Sequence, residues 1–336
     1  MVSLTEIRAH TSTLKTLSPG LVAVFVGGTS GMGLSTAREL VRNTQSPHIY
    51  LIGRNQVVAT QITTELQTLN PSSTISFIKS DVSSLRNVDT VCAEIAAKEK
   101  KINILFMTAG YGTLAGRDET PEGLDRKFSL HYYARMRFIQ KLSPLLTAAA
   151  NDPDKNANLS RVVSVLDPIY GRKAPGPNFN DLDLKRTFSV PRCAIHATSM
   201  NNFTLEHFAS TTPGPSFVHS YPSLVQTGIF TNARWYMKPA IKTLGLLIRP
   251  WSVDLTESGE RHLFAATAPR FGRGEGSAMG SDEVRGSGSY HLNWDSEVLG
   301  ESKVLRELRE QGARERIWKH TEEVFGQIEK KGKYES

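Results

Sequence analysis

The chain has 336 residues, 39% of them hydrophobic and 22% charged, a balance that indicates a globular protein with a large core. Its formal charge is +7, but Lys and Arg are spread along the chain, so no basic arm predicts nucleic-acid binding. The two cysteines, Cys92 and Cys193, form neither a disulfide framework nor a Cys/His metal pattern, and they favour a reducing, cytoplasmic location. We expect no metal site, no secretion signal and no transmembrane segment.

Short β-branched runs alternate with longer stretches of helical period, which predicts parallel βαβ units. Strands are predicted at residues 21–26, 48–52, 74–79, 102–108, 161–165 and 216–220. Helices are predicted at about residues 33–42, 57–68, 87–97, 122–146 and 194–209. Five successive crossovers predict an α/β protein with a doubly wound, Rossmann-type parallel sheet in a single domain, residues 21–270.

The segments on either side of this domain have other patterns. Residues 1–20 are predicted to form a helical lead-in, and glycines clustered in residues 271–300 predict a loop. Residues 301–336 carry apolar side chains at near-helical spacing among many charges, which predicts an amphipathic helical tail. We expect this apolar stripe to pack within the chain or across a homo-oligomer.

The stretch VFVGGTSGMG, residues 24–33, follows the first strand and opens the next helix. Gly27 allows a tight turn, Gly31 lets backbone N–H groups approach a pyrophosphate, and Gly33 lets helix and strand pack closely. Phosphate then lies at the positive end of the helix dipole. The predicted dinucleotide-binding residues of this turn are Gly27, Thr29, Ser30, Gly31, Met32 and Gly33.

The spacing Gly-x-x-x-Gly-x-Gly resembles the cofactor turn of the short-chain dehydrogenase/reductase family. The segment SDVSS resembles the pair that contacts adenine in that family, here Asp81 and Val82. The segment MTAGYG takes the place of its Asn-Asn-Ala-Gly motif, with Ala109 and Gly110 retained. The resemblance implies a Rossmann fold that binds a nicotinamide dinucleotide.

Two later segments extend the resemblance to about residue 270. YPSLVQTG resembles the family's Pro-Gly-x-x-x-Thr motif near the nicotinamide, with Pro222 and Thr227 kept and Ser223 replacing the glycine. ESGERHLFAATAP, residues 257–269, resembles a late helix of fungal members from secondary-metabolite gene clusters. This likeness implies a small-molecule substrate such as a polyketide, terpenoid or alkaloid intermediate.

The residue after the second strand selects the cofactor in this family, and that position is Arg54 in the segment LIGRN. No Asp or Glu occurs between Tyr50 and Gln56 to bind a ribose 2′-hydroxyl. A guanidinium suits a 2′-phosphate instead, so NADP(H) is predicted over NAD(H).

The four catalytic residues of the family are absent. His131 stands at the position of the family's Asn, and Leu166 and Asp167 stand at the position of its Ser. No Tyr in the chain is followed four residues later by Lys. The helix that should carry this pair allows three registers, namely Arg192/His196, Ala194/Thr198 and His196/Met200.

Three functions remain open from the sequence. In the first, the protein is an NADP(H)-dependent oxidoreductase with a rebuilt proton donor, for which the candidate residues are His196, His131, Asp167 and Tyr170. In the second, bound NADP is structural and the pocket catalyses a cyclisation, an isomerisation or a dehydration. In the third, the chain is a non-catalytic protein that senses NADP.

Overall fold

A seven-stranded parallel sheet forms the centre of the molecule in the computed structural model, which describes residues 1–113, 115–173, 175–223, 225, 252–274 and 276–335. The strands are β1 Val22–Val26, β2 His48–Gly53, β3 Thr74–Lys79, β4 Ile104–Met107, β5 Arg161–Val165, β6 Ser216–Ser220 and β7 Ser289–Leu292. Their order is β3-β2-β1-β4-β5-β6-β7, so the chain order reverses between β1 and β4. This confirms the predicted doubly wound sheet.

Helices cover both faces of this sheet. The helices are α1 Leu4–Thr13, α2 Gly31–Asn43, α3 Gln56–Leu69, α4 Leu85–Lys98, α5 Arg126–Phe128, α6 Ala134–Ala150, α7 Val190–Thr211, α8 Leu255–Thr267, α9 Lys303–Glu310 and α10 Ala313–Lys331. A π-helical turn, Ser129–Tyr133, joins α5 to α6. Among the described residues, none of these helices is long and apolar enough to cross a membrane.

The alternation of side chains along each strand divides the core into two halves. In β1, Val22, Val24 and Val26 pack with α4, α6, α7 and α10, whereas Ala23 and Phe25 pack with α1, α2 and α8. This is the period-2 pattern of a strand that is buried on both faces. Helix α10 lies on α7 and α4, so the predicted helical tail completes one half of the core.

The structure corrects two details of the predicted elements. The loop predicted throughout residues 271–300 is wrong for Ser289–Leu292, which form β7 beside β6. The helix predicted from residue 122 begins at residue 126, because the Asp125 carboxylate caps it by accepting a hydrogen bond from the Phe128 N–H at 2.9 Å. Glu122 instead accepts hydrogen bonds from the first N–H groups of α4.

Candidate cofactor cleft and active site

The carboxyl ends of the strands border a cleft of about 350 Å³ at the point where the strand order reverses. Open α/β sheets bind their ligands at this switch point. Most of the predicted cofactor residues line the cleft, namely Gly27, Thr29, Ser30, Gly31, Met32, Arg54, Asp81, Val82, Ala109, Gly110 and Pro222. Gly33 lies behind the turn, and Thr227 lies outside the described residues.

The glycine turn has the backbone geometry that a pyrophosphate cradle requires. Gly27 has a φ of +93°, in the left-handed region that favours glycine. A Cβ atom at Gly33 would lie 2.4 Å from the Gly27 carbonyl oxygen, so only glycine lets α2 approach the turn this closely. The Ser30 side chain makes no capping bond to α2, which leaves the first N–H groups of the helix available to an anion.

Thr108 ties the glycine turn to the neighbouring strand. Its backbone N–H donates to the Val26 carbonyl oxygen at 2.9 Å, and its hydroxyl donates to the Gly27 carbonyl oxygen at 3.2 Å. Thr108 stands where the family's second Asn stands in the predicted match, so a shorter hydroxyl supports the turn here. The Thr108 backbone and side chain therefore both hold the turn against β4.

The side of the cleft that follows β2 and β3 carries an exposed cation and a hydrogen-bonded carboxylate. Arg54 is exposed at the end of β2, on the rim of the cleft. The Asp81 carboxylate, after β3, accepts hydrogen bonds from the Ser83 N–H at 3.0 Å and the Ser83 hydroxyl at 2.8 Å. These two bonds hold Asp81 at the cleft wall, where the Arg126 guanidinium lies 3.8 Å from its carboxylate.

His131 lies at the other end of the cleft, inside the π-helical turn. Its side chain is 9% exposed and sits so close to Gly110 that a Cβ there would lie 2.6 Å from Nε2. Burial, followed by the charges of Arg135 and Lys127, lowers the pKa of His131 to about 3. The imidazole is therefore neutral near pH 7, and it can donate or accept a hydrogen bond but not act as an imidazolium acid.

Arg135, one helical turn after His131, forms part of the cleft floor. Its guanidinium donates to the Ser164 hydroxyl and the Val165 carbonyl oxygen, both at 2.8 Å, and to the Ala109 carbonyl oxygen at 3.1 Å. All these acceptors are uncharged. Burial lowers the pKa of Arg135 to about 9, so the side chain still carries its charge at neutral pH.

His196 does not reach the cleft. Its Nε2 accepts a hydrogen bond from the Asn178 N–H at 2.9 Å, and its Nδ1 lies 3.2 Å from the Leu182 carbonyl oxygen. The neutral ring with a proton on Nδ1 satisfies both contacts. Burial lowers the pKa of His196, which favours that neutral form. The ring therefore joins the start of α7 to the loop at residues 178–182.

Asp167 and Tyr170 lie together in the loop after β5, and neither is among the residues that line the cleft. The Asp167 carboxylate accepts a hydrogen bond from the Tyr170 N–H at 2.8 Å, where the 3-10 turn Tyr170–Arg172 begins. Burial raises the pKa of Asp167. The Lys173 ammonium lies 5.5 Å from the centre of the Tyr170 ring.

None of the residues in the three predicted registers of α7 is among the described residues that line the cleft. The Thr198 hydroxyl donates to the Ala194 carbonyl oxygen at 2.7 Å, and Met200 is fully buried. Further along, the Asn201 amide donates to the His131 carbonyl oxygen at 2.8 Å and accepts from the Ser164 hydroxyl at 3.0 Å. The polar groups of this helix bind the protein itself.

Comparison with known proteins decides the family. The sequence profile of the short chain dehydrogenases matches residues 21–152. An oxidoreductase of Emericella nidulans is 42% identical over 97% of this chain and 99% of its own length, and an oxidoreductase of Emericella variicolor is 35% identical over 97% of each chain. The chain belongs to the short-chain dehydrogenase/reductase family. As a member, it is classed with the oxidoreductases.

A solved structure shares the fold. The NADPH-bound carbonyl reductase from chicken fatty liver superimposes with a TM-score of 0.56, at 17% sequence identity, over 85% of this chain and 100% of that one. At this identity the likeness concerns the fold alone.

Two residues that line the cleft, Tyr111 and Arg135, were not predicted from the sequence. Tyr111 follows the retained Ala109 and Gly110 directly, and it is the one phenol among the described residues that line the cleft. Arg135 stands four residues after His131, a spacing that places both on one helix face. That spacing could have indicated that Arg135 lies near His131. It was not sufficient because an arginine in a helix is usually a surface residue.

Proposed function

We propose that this protein is an NADP(H)-dependent oxidoreductase that reduces a carbonyl or an enone of a secondary-metabolite intermediate, or catalyses the reverse oxidation. The observation that carries the proposal is Arg54 at the end of β2, exposed on the rim of a cleft whose glycine turn fits a pyrophosphate. A guanidinium there suits a 2′-phosphate, whereas an acidic residue would select the 2′-hydroxyl of NAD(H). A cytoplasmic location, where NADPH and reduced cysteines are found together, belongs to the same proposal.

Different residues of the cleft would bind different parts of the cofactor. Gly27, Gly31 and Ser30 would hold the pyrophosphate, Arg54 the 2′-phosphate, and Val82 the adenine. The nicotinamide, when bound, supplies or accepts a hydride. The residues of the chain then have to bind the substrate, exclude water and hold the proton.

Tyr111 is the residue we propose as the proton donor. Burial, followed by the charges of Asp118 and Asp125, raises the pKa of Tyr111, so its hydroxyl stays protonated at neutral pH. His131 would assist as a neutral hydrogen-bond partner across the cleft. Of the four candidates predicted from the sequence, His131 is the one found among the described residues that line the cleft, which supports this assisting role.

The test compares nucleotide binding and chemistry separately. Calorimetric titration should give a Kd for NADPH at least tenfold below that for NADH, and R54Q should remove most of this difference. R38Q is a matched control, because Arg38 lies on α2 and pairs with Glu65 away from the cleft. Equal Kd values for the two nucleotides in the wild-type protein would contradict the choice of NADP(H).

A second function is favoured by one specific observation, the absence of any α7 side chain from the described lining of the cleft. A pocket without the Tyr and Lys of that helix suits a non-redox cyclisation or isomerisation beside a bound cofactor. Incubation of candidate intermediates with NADPH distinguishes the two functions. Loss of NADPH absorbance with a gain of two hydrogens supports redox chemistry, and a product of unchanged mass supports the second function.

A further inference from the structure

The cleft floor contains a buried positive charge, Arg135, that pairs with no carboxylate among the described residues. Arg135 is 2% exposed, and its recorded acceptors are the uncharged oxygens of Ala109, Leu130, Ser164 and Val165. Burying a cation without an anion costs free energy, because the charge loses its hydration. Such a charge is a candidate for a role toward a ligand.

The position of Arg135 relative to the strands places it beneath the nicotinamide end of the dinucleotide, an argument that rests on the proposed function. Arg54 and Asp81, after β2 and β3, mark the adenosine side, and the glycine turn after β1 marks the pyrophosphate. The next strands in the sheet are β4 and β5. Arg135 donates to the oxygens at the carboxyl ends of these two strands.

The two redox forms of the cofactor differ in charge at this end. The oxidised nicotinamide ring carries one positive charge and the reduced ring carries none. A buried cation repels the oxidised ring, and the repulsion is screened less there than in water. We infer that Arg135 makes the cleft bind NADPH in preference to NADP⁺ and so keeps the site occupied by the reduced cofactor.

The size of the expected preference follows from the interaction of two unit charges. At a separation of roughly 10 Å and an effective dielectric constant of about 20, their repulsion raises the ratio of the Kd for NADP⁺ to the Kd for NADPH on the order of tenfold. For a two-electron couple, a tenfold ratio corresponds to a shift of about 30 mV in the potential of the bound cofactor. Burial lowers the pKa of Arg135 to about 9, and the side chain is still charged at neutral pH.

The chain offers a matched control in Arg161. This side chain is also buried, and its guanidinium donates to the carbonyl oxygens of Ala265 at 3.2 Å and Ala268 at 3.3 Å. It stands at the first residue of β5, whereas Arg135 binds the last residue of the same strand. The two arginines therefore share their chemistry and differ in their distance from the cleft.

The experiment is a calorimetric titration of the wild-type protein, R135M, R135K and R161M with NADPH and with NADP⁺, with circular dichroism as the check on folding. We expect the ratio of the Kd for NADP⁺ to the Kd for NADPH to fall on the order of tenfold in R135M and to stay unchanged in R161M. R135K keeps the charge, so it should keep most of the ratio. R135Q replaces R135M if the methionine variant does not fold.

The outcomes separate this inference from the proposed function. A ratio in R135M or R135Q equal to that of the wild-type protein would overturn the role of Arg135 while nucleotide binding stands. Equal affinities of the wild-type protein for NADPH and NADP⁺ would also overturn it, without any variant. Failure of the wild-type protein to bind either nucleotide would instead overturn the proposed function.

Discussion

The glycine turn after β1 and helix α7 belong to the same fold, but their polar groups have opposite partners. The turn leaves the N–H groups at the start of α2 and the exposed Arg54 free for a ligand. Helix α7 directs its polar side chains at the protein: His196 binds the loop at residues 178–182, and Glu206 binds Arg309. The turn therefore presents its polar groups to the cleft, whereas α7 uses the polar groups named here to support the fold.

The largest effect is expected where α7 supports α9. The Glu206 carboxylate is buried and accepts two hydrogen bonds from Arg309, at 3.0 and 2.8 Å. R309M leaves that carboxylate without its cation, which should lower the free energy of unfolding by about 3–5 kcal/mol. R306M is the control, since Arg306 pairs with Glu283 at the surface, where a pair contributes less than about 1 kcal/mol.

Chemical denaturation followed by circular dichroism measures both variants. Equal losses in R309M and R306M would show that α7 does not depend on this contact, and the contrast between the two regions would weaken.

The next effect concerns the turn. G33A places a methyl group 2.4 Å from the Gly27 carbonyl oxygen and 2.8 Å from the Thr108 hydroxyl, so α2 has to move away from the cradle. We expect a loss of roughly 1–3 kcal/mol in stability and a clear loss of NADPH affinity. In G326A the new methyl group on α10 meets nothing within 4 Å, and the variant should gain about 0.5–1 kcal/mol. Unchanged NADPH binding in G33A would contradict the assigned cradle.

A smaller effect tests whether His196 is structural. H196A removes the acceptor of the Asn178 N–H and the partner of the Leu182 carbonyl oxygen, which should cost about 1–2 kcal/mol of stability. Because the ring lies outside the cleft, the pH profile of kcat should keep both limbs. Loss of the alkaline limb at unchanged stability would restore His196 as the proton donor and would place both regions in one active site.

The smallest effect is a dependence of stability on pH. Burial, followed by the charges of Arg172 and Arg309, holds the pKa of His291 well below its usual value of about 6.5, and burial likewise lowers that of His219. The unfolded rings take up protons near pH 6.5 and the folded ones do not, so stability is complete above that pH and falls as the pH drops below it. At pH 5.5 each ring should contribute a loss of roughly 1 kcal/mol.

The variant H291L checks this assignment. Neither ring nitrogen of His291 has a partner among the described atoms, so a leucine should be tolerated at pH 7.5. The loss of stability between pH 7.5 and 5.5, measured by urea denaturation, should be smaller than in the wild-type protein by roughly 1 kcal/mol. An unchanged loss would assign the acid sensitivity to other groups.

The sequence predicted the turn well because its geometry is local. Gly27 is favoured by its left-handed φ of +93°, and Gly33 by the Gly27 carbonyl oxygen six residues before it, so the glycine spacing carries this part of the geometry. The strand β7 was missed because it has four residues, includes the polar Ser289 and His291, and follows glycines in left-handed conformations at Gly286 and Gly288. Its identity as a strand comes from β6, which is distant in sequence.

The catalytic side was less predictable because the sequence shows which residues are missing, not what replaces them. His196 matched a pair position by spacing, but its two hydrogen bonds go to a loop whose path no local pattern defines. Ser223, which replaces the family's glycine in the predicted match, has a φ of +63°, a left-handed conformation that favours glycine. The sequence shows this substitution but not the backbone conformation of the residue.

Helix α10 covers α4 and α7, although it lies far beyond both along the chain. During synthesis, the apolar sides of α4 and α7 that α10 covers stay exposed until residues 313–331 have emerged from the ribosome. Contacts between such distant segments form late and slow the folding of a chain. Newly made molecules therefore expose an apolar surface for longer on these sides of α4 and α7 than on any local βαβ unit, and a chaperone that binds nascent chains would act there.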